Sequence, residues 1–201
     1  MFTLIKLLHN RLVFGRRVRV LSDSFAKLIP PGSSVLDIGC GSGQIAFQTM
    51  QSNPSLFIRG IEPAPRPRCL IECGAYDGSA IPYADGSFDC CMFVDVLHHT
   101  NDMAALLKEA SRVSRRYILI KDHLCETQLD RALLSLMDWV GNRPHGVKLT
   151  YNYIDRRAWE GLFSALHLHT REWTTDIPLY AFPLNMVFSR RLHFIAQLEK
   201  K

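Results

Sequence analysis

The sequence predicts a three-layer αβα fold in which helices cover both faces of a doubly wound, seven-stranded, mostly parallel sheet with antiparallel terminal strands. Three observations carry this. The runs 88–94 and 117–120 are apolar on both faces of any strand they form, as in a strand held between helix layers. Strand-like runs alternate with amphipathic helical segments, which favours parallel pairing through right-handed crossovers. Finally, Val35-Leu36-Asp37-Ile38 breaks into Gly39-Cys40-Gly41-Ser42-Gly43 ahead of a helix-compatible run. At such a turn an α/β sheet brings backbone N–H groups close to a ligand.

In chain order, residues 2–13 can form a basic amphipathic helix. Its readings are a packing or lid helix, a peripheral membrane contact through its basic face, and an Arg-rich, acid-poor transit segment. Arg17 to Leu28 gives a second helix, with Val18, Leu21, Phe25 and Leu28 on one face, stopped by Pro30-Pro31-Gly32. After the 35–43 turn and its helix, Leu56–Glu62 is the second strand and ends in a carboxylate. Pro63, Pro65 and Pro67 leave little room for a full helix before a short strand near Cys69–Cys73. The central strand Phe88–Val94 follows the turn Ala84–Ser87 and leads to Asp95-Val96-Leu97-His98-His99. A helix over Asp102–Val113 precedes the buried strand Tyr117–Ile120, which ends at Lys121-Asp122-His123. An insert then runs through a helical stretch, Leu129–Val140, to Tyr153, above the carboxyl ends of the strands where such sheets bind ligands. Asp155 can cap a helix through Leu166, and Leu168–Thr175 and Leu192–Leu198 are the closing strands, antiparallel to each other.

With 201 residues, 47% hydrophobic, the chain suffices for one core and is expected as one domain. Its parts are N-terminal helices over 1–30, a ligand-binding half over 33–123, a substrate-cover insert over 124–153 and closing elements over 154–201. The net charge of +5 permits an acidic partner but is ordinary for a soluble surface. The six cysteines form no C-x-x-C pair, which suits reduced thiols in a cytoplasmic protein. No apolar run reaches the ~20 residues of a membrane span, and residues 1–13 lack a secretory cleavage site.

A dinucleotide fingerprint places its third glycine where Gln44 stands, so that reading fails. The motifs Val35–Gly43, Gly60-Ile61-Glu62, Asp77 ahead of Ile81-Pro82-Tyr83, Asp85–Asp89 and Leu97-His98-His99 together resemble a class I S-adenosylmethionine-dependent methyltransferase. The nearest likeness is to the small-molecule and lipid-quinone group, over about residues 33–123. The resemblance implies a Rossmann-like sheet and S-adenosylmethionine as cofactor, leaving S-adenosylhomocysteine. It places the cofactor's amino-acid tail against Asp37 and the turn of Gly39, Cys40, Gly41 and Gly43. Glu62 then takes the ribose hydroxyls, Asp77 and the Gly78 backbone the adenine, and Asp95 lies at the edge of the same site.

For an acceptor needing a base, the candidates are His98, His99 and His123, since imidazole titrates near neutrality. These histidines with Asp95 and Asp122 could instead hold a divalent ion, but none of their spacings is diagnostic and no metal is assigned. Tyr151, Tyr153 and Trp139 of the insert suit an apolar or aromatic acceptor. The Asn/Asp-Pro-Pro-aromatic motif of exocyclic-amine methylation of bases is absent from 95–98, and no Pro-Cys nucleophile stands at that strand end. The expectation is therefore methyl transfer, most simply at oxygen, to a small hydrophobic acceptor rather than to nucleic acid. The rival readings are a catalytically silent cofactor-binding or activating subunit, and an RNA methyltransferase drawing on the basic termini.

Overall fold

The computed structural model describes residues 14–142, 150–188 and 191–200. The helix expected over 2–13 thus lies outside the described residues. The chain runs α1 (Gly15–Leu28), β1 (Ser34–Ile38), α2 (Gln44–Ser52), β2 (Phe57–Glu62), β3 (Cys73–Ala75), β4 (Phe88–Val94), α3 (Met103–Val113) and β5 (Ser114–His123). It continues through α4 (Gln128–Asn142), α5 (Arg156–Ala165), β6 (Leu168–Thr174), α6 (Asn185–Phe188) and β7 (His193–Lys200). The seven strands lie in the order β3-β2-β1-β4-β5-β7-β6. Pairing is parallel from β3 to β5, and β7 runs antiparallel to both β5 and β6. The order reverses between β1 and β4, which opens a crevice at their carboxyl ends.

Alternation along β4 shows how the core divides. Cys91 and Phe93 face a layer formed with Leu106 and Leu107 of α3 and Trp159 and Phe163 of α5. Cys90 and Met92 face Leu21 and Phe25 of α1 and Ala46 of α2. Both faces of the strand are buried, so it carries no polar alternation. Asp102 and Asp155 cap α3 and α5 by accepting the N–H groups of Ala105 and Ala158.

Several boundaries differ from the sequence expectation, among them α4, which runs two residues past Val140 to Asn142. The third strand is Cys73–Ala75, not Cys69–Cys73, because residues 69–71 are drawn to the glycine turn. There Leu70 donates its N–H to the Ser42 carbonyl at 3.0 Å. The side chains of Cys69 and Ile71 fill the space a Cβ at Gly43 would occupy. β5 spans ten residues, not Tyr117–Ile120, because β4 and β7 flank it and extend its pairing to His123. α1 starts two residues earlier, at Gly15, and β7 starts at His193 and runs on to Lys200. Lys200 there donates to the carbonyls of Ser111 and Ser114 at the end of α3. No helix among the described residues is long and apolar enough to cross a membrane.

Candidate active site

Two sites meet at the carboxyl edge of the sheet. The first is the turn after β1. Gly39 has φ +75, and a Cβ there would lie 2.7 Å from Cγ2 of Val96, so both backbone and packing require glycine. Gly41 has φ +58 and meets only the Arg66 guanidinium, 3.7 Å from where a Cβ would be. Its N–H donates to Oε2 of Glu62 at 2.8 Å, which fixes the carboxylate at the end of β2 over the turn. Asp37 is buried, and no hydrogen bond reaches its carboxylate among the described residues. Burial and then the Glu62 charge push its pKa up to about 8.

Further along the crevice, Asp77 sits beyond β3 as an exposed turn residue that accepts from the N–H groups of Ser79 and Ala80 and from the Ser79 hydroxyl. Those bonds lower its pKa. Gly78 beside it has φ +86. Tyr76, which sequence reasoning passed over, is partly buried against the same wall, and burial and the Glu62 charge raise its pKa to about 12. Cys40 and Cys73 line the floor with their sulfurs 3.4 Å apart.

The second site is a buried polar network at the ends of β4 and β5. Asp95 takes a left-handed φ of +55 as it leaves β4, a conformation that aspartate tolerates better than most residues. It is ion-paired to Lys121 and to Arg17 from α1. Burial opposes its charge, but these two cations hold its pKa well below the usual range. Asp122, fully buried, accepts from the N–H groups of Leu97 and His123 and from Nδ1 of His98 at 2.6 Å. Burial disfavours the His98 imidazolium, yet the Asp122 and Asp138 carboxylates outweigh it and raise the pKa to about 10. His99, next along the short 3₁₀ turn, is lowered to about 4 by burial and by the charge on His98.

His123 is held neutral by burial, with the charges of His98 and Lys121 adding to the effect. Its Nδ1 lies 3.1 Å from Nδ1 of His193, its register partner on β7, and its Nε2 lies 3.7 Å from Oδ1 of Asp138. Burial raises the Asp138 pKa, but the neighbouring imidazoles of His123 and His98 reverse this and lower it. The Tyr153 hydroxyl donates to Oδ2 of that carboxylate. Thr150 and Asn152 donate to the carbonyls of His98 and Thr100, strapping the return segment over the 3₁₀ turn.

Of the residues named from sequence, Asp37, Gly39, Cys40, Gly41, Gly43 and Glu62 converge on the first site, with Asp77 and Gly78 at its far end. His98, His123 and Tyr153 converge on the second, and Asp95 joins it through Lys121. Trp139 is turned outward, 39% exposed, one residue after the inward Asp138. Tyr151, with φ +55, packs against the small core of Cys125, Leu134, Tyr153 and Leu192. Sequence reasoning missed Asp138, His193 and Arg17. Asp138 had a signal, because it falls four residues after the buried Leu134 on the apolar face of α4.

Residues 9–171 match the sequence profile of a methyltransferase-domain family. The chain belongs to the class I S-adenosylmethionine-dependent methyltransferases. Its curated relatives include the 27-O-demethylrifamycin SV methyltransferase of Amycolatopsis mediterranei, 30% identical over an alignment of 110 positions that covers 47% of this chain and 40% of that protein. The 2-methyl-6-phytyl-1,4-hydroquinone methyltransferase of a Synechocystis strain is 30% identical over an alignment of 95 positions that covers 42% of this chain and 30% of that one. The chain thus spans well under half the length of these relatives. Among solved structures, an S-adenosylmethionine-dependent methyltransferase from Thermotoga maritima superposes over the whole of both chains with a TM-score of 0.64 at 19% identity. A chain from the complex of the Haloferax volcanii Trm112 methyltransferase activator with a methyltransferase gives 0.65 at 16%, covering 98% of this chain and 92% of that one. Both likenesses establish the fold.

The residues of this chain fit the cofactor of its family. A buried carboxylate that no hydrogen-bond donor reaches among the described residues, Asp37, suits a cationic ligand group. Gly41 presents no side chain of its own to the crevice, and Glu62 is already aligned as an acceptor.

Proposed function

We propose that this chain transfers a methyl group from S-adenosylmethionine to an oxygen of a small hydrophobic or aromatic acceptor such as a phenol or hydroquinone. The observation that carries the reading is the adjacency of the Asp37–Gly41–Glu62 crevice and the buried His98–His123–Asp138 cluster, one on each side of the β1–β4 reversal. The names of the rifamycin and phytyl-hydroquinone relatives point to acceptors of the same kind.

Bound S-adenosylmethionine supplies a methyl carbon activated by its sulfonium, so the protein must align the acceptor and take up its proton. Asp37 and the 39–43 turn hold the cationic amino-acid end, and Glu62 accepts from the ribose hydroxyls. Asp77 and the Gly78 N–H meet the adenine. The acceptor lies beneath α4 and residues 150–153, with Tyr151 and Trp139 on the outer side and Tyr153 on the inner. Proton uptake falls to the histidine cluster, in which His123 is the neutral imidazole.

Calorimetric titration with S-adenosylmethionine and S-adenosylhomocysteine, followed by transfer of a labelled methyl to a panel of phenols and hydroquinones, tests the reading. Absence of donor binding to folded protein would overturn it. Donor binding with no transfer to any acceptor would favour an activating or cofactor-binding subunit.

A further inference from the structure

We propose that His98, His123 and Asp138 bind a divalent first-row transition ion, with Asp122 and His193 orienting the two imidazoles from behind. The ion's use in catalysis rests on the methyltransferase reading above, but its binding does not.

The geometry is that of a site needing only a slight contraction. One nitrogen of each histidine and one oxygen of Asp138 all lie within 4.8 Å of one another. Nε2 of His98 is 3.4 Å from Oδ2 of Asp138, and Nε2 of His123 is 3.7 Å from its Oδ1. Bonds of about 2.0–2.2 Å to a tetrahedral centre place ligand atoms roughly 3.4 Å apart. Three elements supply the ligands: the 3₁₀ turn after β4, the end of β5, and α4.

The surroundings leave the ligand atoms facing inward. Asp122 takes the Nδ1 proton of His98 and is itself anchored by the N–H groups of Leu97 and His123. That leaves Nε2 of His98 buried and without a hydrogen bond, facing Asp138, and an ion bound there takes the place of the proton that the two carboxylates otherwise hold on this imidazole. The Lys121 ammonium reaches Nδ1 of His193 at 3.2 Å, so we assign that nitrogen as the acceptor and the proton of the His123–His193 contact to His123. Nε2 of His123 then carries a lone pair directed at Asp138. A carboxylate or imidazole behind each ligating histidine is the usual means of fixing ring orientation and raising ligand basicity.

Two imidazoles and one carboxylate suit Zn(II), Fe(II) or Mn(II) and not the all-oxygen preference of Ca(II) or Mg(II), and they leave positions open. With the ion bound, Nε2 of His123 is a ligand and no longer the proton acceptor, and an acceptor hydroxyl at an open position would lose its proton to water instead. Its oxygen would form the new O–CH3 bond while the S–CH3 electron pair leaves on sulfur.

A second group of three ligand atoms, on Cys40, Cys69 and Cys73, lies in the donor crevice, so the test must separate nitrogen and oxygen from sulfur. Chelator-treated full-length protein is titrated anaerobically with Co(II), then with Zn(II) in competition. The expected result is one equivalent bound, with cobalt d–d absorption and no thiolate charge-transfer band, and binding weakened at least about tenfold in Asp138→Asn and His123→Gln. S-adenosylhomocysteine binding, followed in the same chelated samples, should persist without metal. The proposal is overturned by absence of stoichiometric binding, by a thiolate band, or by full affinity in both variants. Should the variants not fold, the wild-type stoichiometry and cobalt spectrum decide alone. Metal binding without donor binding would count against the methyltransferase reading and leave the ion site standing.

Discussion

Asp37 sits in the fold as a proton store. Its folded-state pKa of about 8 lies far above the ~3.9 of an unfolded aspartate, so between those values the folded state holds a proton that the unfolded chain does not. This group's contribution to stability is therefore fully present below about pH 4 and is lost as pH rises through about 8. A cationic ligand reverses the preference. Donor binding at pH 7 should release close to one proton and tighten toward pH 8, which calorimetry in buffers of different ionisation enthalpy measures directly. Asp37→Asn should remove the pH slope, raise the melting temperature of the ligand-free protein above pH 8, and abolish donor binding. Glu62→Gln keeps an acceptor for the Gly41 N–H but removes the charge. Donor affinity should fall roughly 10- to 100-fold, the equivalent of about 1.5–3 kcal/mol for charge-assisted hydrogen bonds.

Among elements, α1 is tied to the end of β4 by Arg17 and Asp95 while its apolar face packs Leu21 and Phe25 against the sheet. Arg17→Ala should cost about 1.5–3 kcal/mol, read as a lowered denaturation midpoint with an unchanged m-value. β2 carries a different constraint. A Cβ at Gly60 would lie 2.4 Å from the Cys40 sulfur, so Gly60→Ala should destabilise by about 1–3 kcal/mol. Cys40→Ala in the same chain should recover only part of that loss, because the Cβ of residue 40, 2.8 Å away, remains, a partial non-additivity that a double-mutant cycle reports. These elements also show what the sequence made legible. Phe88–Val94 was readable to the residue because burial on both faces leaves a continuous apolar run, and α3 and α5 were marked by their aspartate caps. The strand near 69–73 was misplaced because the contact that draws those residues to Ser42 is tertiary.

At the scale of the whole molecule, the strand order puts the glycine-turn crevice on the β1–β2 side and the histidine network on the β4–β5 side, with both reading out at one edge. S-adenosylhomocysteine at about a hundred times its dissociation constant should add about 2.7 kcal/mol of stability, a rise of roughly 5–11 °C in melting temperature for a chain of this size. The glycine-turn half of this arrangement was legible because glycines and terminal acids mark strand ends along the chain. The histidine half was legible only in part, since His123 meets His193 only through the antiparallel register of β5 with β7, and Asp138 arrives on a helix from the insert. The cysteines follow the same division. Cys90, Cys91 and Cys125 are buried, whereas the partly exposed Cys40, Cys69 and Cys73 cluster at the glycine-turn crevice. The protein therefore carries a built-in occupancy gauge. Slow alkylation of the native chain, counted peptide by peptide in a mass spectrometer, should fall on those three thiols and stall when the crevice is filled, so engagement can be followed in unlabelled wild-type protein before any acceptor is known.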